Sequence, residues 1–178
     1  VVADTIAPVI TLAGLASVNH EQGTTYADDG ATASDTVGGT MTVTVTGSVV
    51  TGTAGTYTLT YTSTDSGGNS ALATRTVTVA DTIAPVITLT GAATVNIDEG
   101  TTYTELGATA SDTVGGTMTV TVTGSVNTGT TGTYTLTYTV TDAAGNSATQ
   151  VTRTVVVVTA VITGYSLPKL INVIETEE

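Results

Sequence analysis

The sequence predicts an all-β protein of two tandem antiparallel β-sandwich domains followed by a C-terminal extension. Three observations carry that prediction. Threonine supplies 47 of the 178 residues, and β-branched side chains restrict χ1 against a helical turn while packing well on a pleated sheet. Apolar and hydroxyl residues alternate with a period of two, the pattern of strands with one buried face. The chain also repeats itself: Asp4-Thr-Ile-Ala-Pro-Val-Ile-Thr-Leu12 returns unchanged as Asp81-Thr-Ile-Ala-Pro-Val-Ile-Thr-Leu89, a shift of 77 residues.

The first strand is Pro8 to Leu12, with proline at its start, where a missing N–H is tolerated. A short piece near Ser17 to Asn19 and a strand from Gly30 to Ser34 follow. Thr40 to Thr46 reads as one strand, with Met41, Val43 and Val45 alternating against Thr42, Thr44 and Thr46. After a brief Ser48 to Thr51 comes Gly55 to Thr64, in which Tyr57, Leu59 and Tyr61 share one face. The unit closes with Ala71 to Val79. Gly, Asp and Asn turns separate these segments, and about seven strands suit a small sandwich. In the second copy Gly30–Val49 returns as Gly107–Val126 and Gly55–Thr62 as Gly132–Thr139, with Pro85 opening its first strand. One inserted residue makes Arg75 correspond to Arg153. The expected division is residues 1–80, 81–158 and an extension over 159–178.

Composition removes several functions. Fifteen acidic residues against Arg75, Arg153 and Lys169 leave a net charge of −12, so the clustered cations that hold a phosphate backbone are missing and nucleic acid is not an expected partner. Zero cysteines exclude disulfide frameworks, thiolate zinc sites and cysteine nucleophiles. No apolar run is long enough to span a bilayer, and no basic-then-apolar leader opens the chain at Val1. The core must be aliphatic, with tyrosine as its only large ring, because Phe and Trp are absent.

The two copies act as each other's control for catalysis. His20, the only imidazole, corresponds to Ile97, and a base shared by both repeats cannot be replaced by isoleucine. No nucleophile elbow, phosphate loop or His-Glu-x-x-His occurs. Asp28 and Asp29 form a carboxylate pair, the residue type that glycoside hydrolysis uses, yet Asp29 corresponds to Leu106; an exposed turn accounts for them. No enzyme is expected. Tyr57, Tyr61, Tyr134 and Tyr138 are read as core residues and not as a sugar-stacking platform. Arg75 and Arg153 lie on last strands, where an exposed charge discourages stray strand pairing and offsets a local acid.

The shared opening Asp-Thr-Ile-Ala-Pro-Val-Ile-Thr-Leu, the Gly-Thr-Tyr-Thr-Leu-Thr-Tyr of a late strand and Asp142-Ala-Ala-Gly-Asn-Ser147 after it resemble the bacterial immunoglobulin-like repeats of large surface and secreted adhesins. The resemblance covers residues 1 to 158. It implies immunoglobulin-like sandwiches, an extracellular or cell-surface location, and service as stalk segments; a fold alone does not dictate a ligand.

Both copies keep a set of acids and amides: Asp4, Asp35, Asp65 and Asn69 match Asp81, Asp112, Asp142 and Asn146. Immunoglobulin topology brings the opening Asp of a unit to the pole where the later Asp-bearing loops emerge. Asp81, Asp112 and Asp142 should therefore converge at the domain junction, with no cation in the sequence nearby. Close like charges are costly unless something positive lies between them. Calcium, which takes six to eight oxygens at flexible geometry, suits such a cluster, whereas zinc or copper does not. The resemblance also implies calcium-rigidified junctions. Turn chemistry is the competing reading, since Asp and Asn bond their own backbone in Asx turns.

The second unit ends in Thr154-Val-Val-Val-Val158, apolar on both faces, and runs on to Leu170, Ile171, Val173 and Ile174 in an acidic tail. Such a segment can fold back or add as a strand to a neighbouring copy. Three functions follow: an adhesin stalk segment, a surface-filament subunit joined head to tail through residues 154–178, and a carbohydrate-binding module. The expected partners are other copies of the chain or neighbouring repeats, a surface receptor or a glycan.

Overall fold

A computed structural model describes residues 3–160; most of the extension expected over 159–178, and of the docking region expected over 154–178, lies outside the described residues. Fourteen strands form four sheets and no helix is present among the described residues. The first unit contains β1 (Val9–Leu12), β2 (Ser17–Glu21), β3 (Ala31–Asp35), β4 (Gly39–Met41), β5 (Thr44–Thr46), β6 (Gly55–Thr64) and β7 (Ser70–Ala80). The second contains β8 (Val86–Leu89), β9 (Thr94–Asp98), β10 (Ala108–Asp112), β11 (Gly116–Met118), β12 (Thr121–Thr123), β13 (Gly132–Thr139) and β14 (Val151–Val158).

Each unit is a three-stranded sheet facing a four-stranded one. The orders are β1-β3-β4 with β2-β7-β6-β5, and β8-β10-β11 with β9-β14-β13-β12. All pairs are antiparallel except β2 with β7 and β9 with β14, which run parallel. The period-two pattern decides what is buried. On β6 and β7, Leu59, Tyr61, Val77 and Val79 face inward, and Leu136, Tyr138, Val155 and Val157 repeat them. Tyr61 and Tyr138 are fully buried, while the half-buried Tyr57 and Tyr134 reach out to donate to the carbonyls of Thr53 and Thr130.

Four sequence expectations need correction. The segment Thr40 to Thr46 is not one strand. It breaks at Thr42-Val43, and its halves join opposite sheets, β4 pairing with β3 and β5 with β6; Ser63 Oγ, at 3.0 Å, donates to the carbonyl of Thr42 at the crossing. Ser48 to Thr51 forms no strand, because Gly47 turns the chain at φ 95°. Its α-carbon lies against β6 so closely that a Cβ would stand 2.4 Å from the Thr58 carbonyl oxygen, a conformation and a contact open only to glycine.

The arginines are the third correction. Arg75 and Arg153 are not exposed edge charges; each is 1% exposed, inside its sandwich. Arg75 donates through Nε to the Leu15 carbonyl at 2.9 Å and through its terminal nitrogens to Asp28 and to the carbonyls of Ala13 and Gly30. Arg153 does the same with Ala92, Glu105, Thr90 and Gly107. A guanidinium presents five donors in a fixed fork, so one buried side chain ties the last strand to the end of each pair where β1 finishes beside the start of β3, and β8 beside the start of β10. Lastly, Asp28 is no free turn residue: it accepts from Arg75 and, at 2.7 Å, from the Tyr61 hydroxyl.

The inserted residue shortens one hairpin. β6 and β7 stay paired out to Thr64 and Ser70, whereas in the second unit the ladder ends at Tyr138 and Val151, and a single Thr141–Ser147 bridge holds the loop. On β14 the outward Val156 is half-buried, as Thr78 is on β7, and Val158 is 42% exposed.

Candidate metal centre at the domain junction

Three elements of the second unit meet at its leading pole. Asp81 follows β7 directly, Asp112 ends β10, and Asp142 opens the β13–β14 loop. One carboxylate oxygen from each lies within 4.8 Å of the others.

Local chemistry fixes each side chain. Asp112 Oδ1 accepts from the N–H groups of Val114, at 2.8 Å, and Gly115, at 3.4 Å, the Asx turn expected of Asp-Thr-Val-Gly-Gly. Its Oδ2 is left buried with no partner, as is Oδ1 of Asp81. Asp142 is 8% exposed and accepts from Asn146 twice, from the backbone N–H at 2.7 Å and from Nδ2 at 2.8 Å. Asn146 Nδ2 also donates to the Asp81 carbonyl at 3.1 Å, so this amide positions both aspartates. Turn chemistry and convergence thus occur together: the turns use one oxygen of Asp112 and leave the other.

The electrostatics follow from that geometry. Burial, then the charges of Asp112 and Asp142, push the Asp81 carboxyl above the ordinary range, with a smaller contribution from Glu21 of the first unit. Burial also pushes Asp142 upward, but the Asn146 side chain and the N–H groups of Asn146, Gly145 and Ala144 outweigh it and hold the group below its usual value. The donor set consists of carboxylates with orphaned, buried oxygens. That set fits a hard divalent cation, and Asp81, Asp112 and Asp142 are the residues that would hold it.

The first unit keeps the supports without the cluster. Asn69 donates to Asp65 Oδ2 at 2.8 Å and to the Asp4 carbonyl at 3.1 Å, and Asp35 Oδ1 caps Val37 at 2.8 Å while its Oδ2 is buried without a partner. Asp4, however, turns Oδ1 back to the N–H of Ile6 at 3.1 Å. Among the described residues, Asp4, Asp35 and Asp65 do not come as close together as their counterparts. His20 is occupied locally, its Nε2 lying 3.2 Å from the Thr24 carbonyl oxygen, and its ring meets Tyr26 edge-on at 5.2 Å.

Two features lie outside the sequence expectations. Glu21 reaches across the junction, and both its carboxylate oxygens accept from the backbone N–H of Thr82, at 3.0 and 3.2 Å. The second is the pair of buried ion pairs; its signal was available, because Asp28 corresponds to Glu105 as an acid kept at the same shift that relates the repeats.

A family model described as bacterial surface protein, Ig-like domain, matches residues 10–79 and again 87–157. The chain belongs to this bacterial surface immunoglobulin-like domain family. No curated protein matches it. Among solved structures, the lipoprotein BT2262 from Bacteroides thetaiotaomicron is 32% identical over 43% of this chain and 39% of its own, with a TM-score of 0.39. A Clostridium perfringens ZmpB structure, CBM51-2 in complex with GlcNAc and INT domains, is 24% identical over 47% of this chain and 20% of its own, with a TM-score of 0.35. The fibronectin(III)-like modules of Clostridium thermocellum CbhA are 16% identical over 88% and 98%, with a TM-score of 0.39. The chain thus spans well under two thirds of the first two. As a tandem pair of bacterial surface immunoglobulin-like domains it is all-β, and no helix among the described residues is long and apolar enough to cross a membrane.

Proposed function

We propose that this chain is a non-enzymatic segment of an extracellular stalk or adhesin, and that calcium held by Asp81, Asp112 and Asp142 stiffens the joint between its two domains. The carrying observation is the convergence of three carboxylates around two buried oxygens that have no hydrogen-bond donor. A cation supplies the missing partner for both and relieves the mutual repulsion of the three charges. The joint is where it acts: Asp81 is the first residue after β7, and Glu21 of the preceding unit is bonded to its neighbour Thr82.

The strand arrangement supports a load-bearing role. β2 lies near the start of its unit and β7 at the end, and the two are parallel from Ser17–Thr76 to Glu21–Ala80. Tension applied at the two ends shears that ladder as a whole and does not open it bond by bond. Arg75, through Leu15 and Ala13, adds side-chain bonds to the same connection.

Thermal unfolding of the full chain in calcium and in chelator tests the reading. Calcium should raise the melting temperature, and Asp81→Ala, Asp112→Ala and Asp142→Ala should each abolish the increment. An increment that survives in all three variants would remove these aspartates from any metal site.

A further inference from the structure

The repeat supplies one completed docking pole and one uncompleted copy of it. At the junction the β2 end of the first unit, Glu21-Gln22-Gly23, meets the leading pole of the second. Glu21 takes the N–H of Thr82, and a Cβ on Gly23 would lie 3.8 Å from Val114 Cγ2. The contact leaves its mark on exposure. Val114 is 36% exposed, whereas Val37, at the same place in the first unit, is 72% exposed. Val86 and Val9, a corresponding pair away from the junction, are alike at 65% and 66%.

We infer that the leading pole of the first unit, made of Asp4, Thr5 and Val37, is a docking surface for the trailing end of a preceding module of the same kind, which presents a carboxylate, one residue and a glycine. This deepens the stalk reading and rests on it. The occupant is specified by the junction itself. Its carboxylate takes the Thr5 N–H as Glu21 takes that of Thr82, and its glycine lies on Val37 as Gly23 lies on Val114.

The presenting loop is built into the fold. Gln22 N–H bonds the Ala80 carbonyl at 2.9 Å and Gly23 N–H bonds that of Thr51 at 2.8 Å. Glu99 and Gly100 make the same bonds, to Val158 at 2.8 Å and Thr128 at 2.7 Å, behind Asp98. Gly100 has nothing within 4 Å of where its Cβ would be. Each unit therefore carries the same kind of end, held by two backbone bonds that do not depend on the neighbour.

The test is amide hydrogen exchange on the full chain with a further copy of residues 1–80 joined ahead of Asp4, with Thr82 as internal reference. Exchange at Thr5 should slow roughly tenfold or more relative to the chain without the added copy, the scale set by a charge-assisted hydrogen bond. Val37→Glu should cancel the slowing, and Val9→Glu should leave it. Thr82 protected with Thr5 unchanged would overturn the docking surface and leave the strut intact; neither protected would overturn both. Equal effects of Val37→Glu and Val9→Glu would also overturn it.

Discussion

Arg75, 1% exposed on β7, donates through Nη1 to the carboxylate of Asp28, 47 residues earlier in the chain, and Arg153 pairs in the same way with Glu105. The side chains of the two acids are 25% and 26% exposed, so each pair has a fully desolvated cation and an anion that still touches water. Removing the acid strands a buried charge, and removing the arginine strands several carbonyls. By the usual cost of breaking a buried pair, Asp28→Ala and Glu105→Ala should each destabilise their domain by about 3 kcal/mol or more. Urea unfolding checks this, and a change below about 1 kcal/mol, the range of exposed pairs, would show that the pairs hold nothing.

Tyr61 should report on the same lock. Burial, then the hydrogen bond to Asp28, raises its phenol from 10.0 to about 12. A folded-state value above the unfolded one adds stability that is complete below pH 10 and is lost as the pH rises through 12. Tyr103 and Tyr138 are raised as well, so ultraviolet titration should show several late phenolates, of which Tyr61→Phe deletes one.

At the acid end two opposing trends should separate. Asp81 is raised, chiefly by burial, so the metal-free protein gains stability as pH falls from that raised value to the ordinary carboxylate range. Asp65 and Asp142 are lowered, and their contribution is present above the ordinary value and lost as pH falls through their own. Stability without calcium should therefore rise, then fall, on acidification. Asp81→Asn should flatten the rise and leave the fall.

Gly47 and Gly124 mark where the chain leaves the four-stranded sheet, at φ 95° and 98°, with a Cβ position 2.4 Å from the facing carbonyl oxygen. Gly47→Ala should destabilise the first domain by more than about 1 kcal/mol, since both the dihedral and the contact are wrong for alanine. An unchanged denaturant midpoint would contradict that geometry.

Much of this was legible in the residues. Alternation placed Leu59 and Tyr61 inward, and the shift of 77 residues made the second unit a copy of the first. Local pattern could not show that Met41 and Val45 belong to different sheets, because a chain crossing between sheets keeps its alternation. The burial of Arg75 is hidden from local pattern for a related reason: a charge on a last strand is ordinarily solvated, and this one is buried through Asp28 and three carbonyls that approach only in the folded state. The convergence of Asp81, Asp112 and Asp142 was legible through topology, whereas the reach of Glu21 to Thr82 depends on how one domain meets the next.

Small-angle scattering of the full chain, with saturating calcium and with chelator, tests the central claim most directly. Calcium should narrow the distribution of interdomain distances, and Asp112→Ala should keep the broader chelator profile in both solutions. Superimposable curves for the unaltered protein in the two solutions, together with an unchanged melting temperature, would contradict a calcium-stiffened joint.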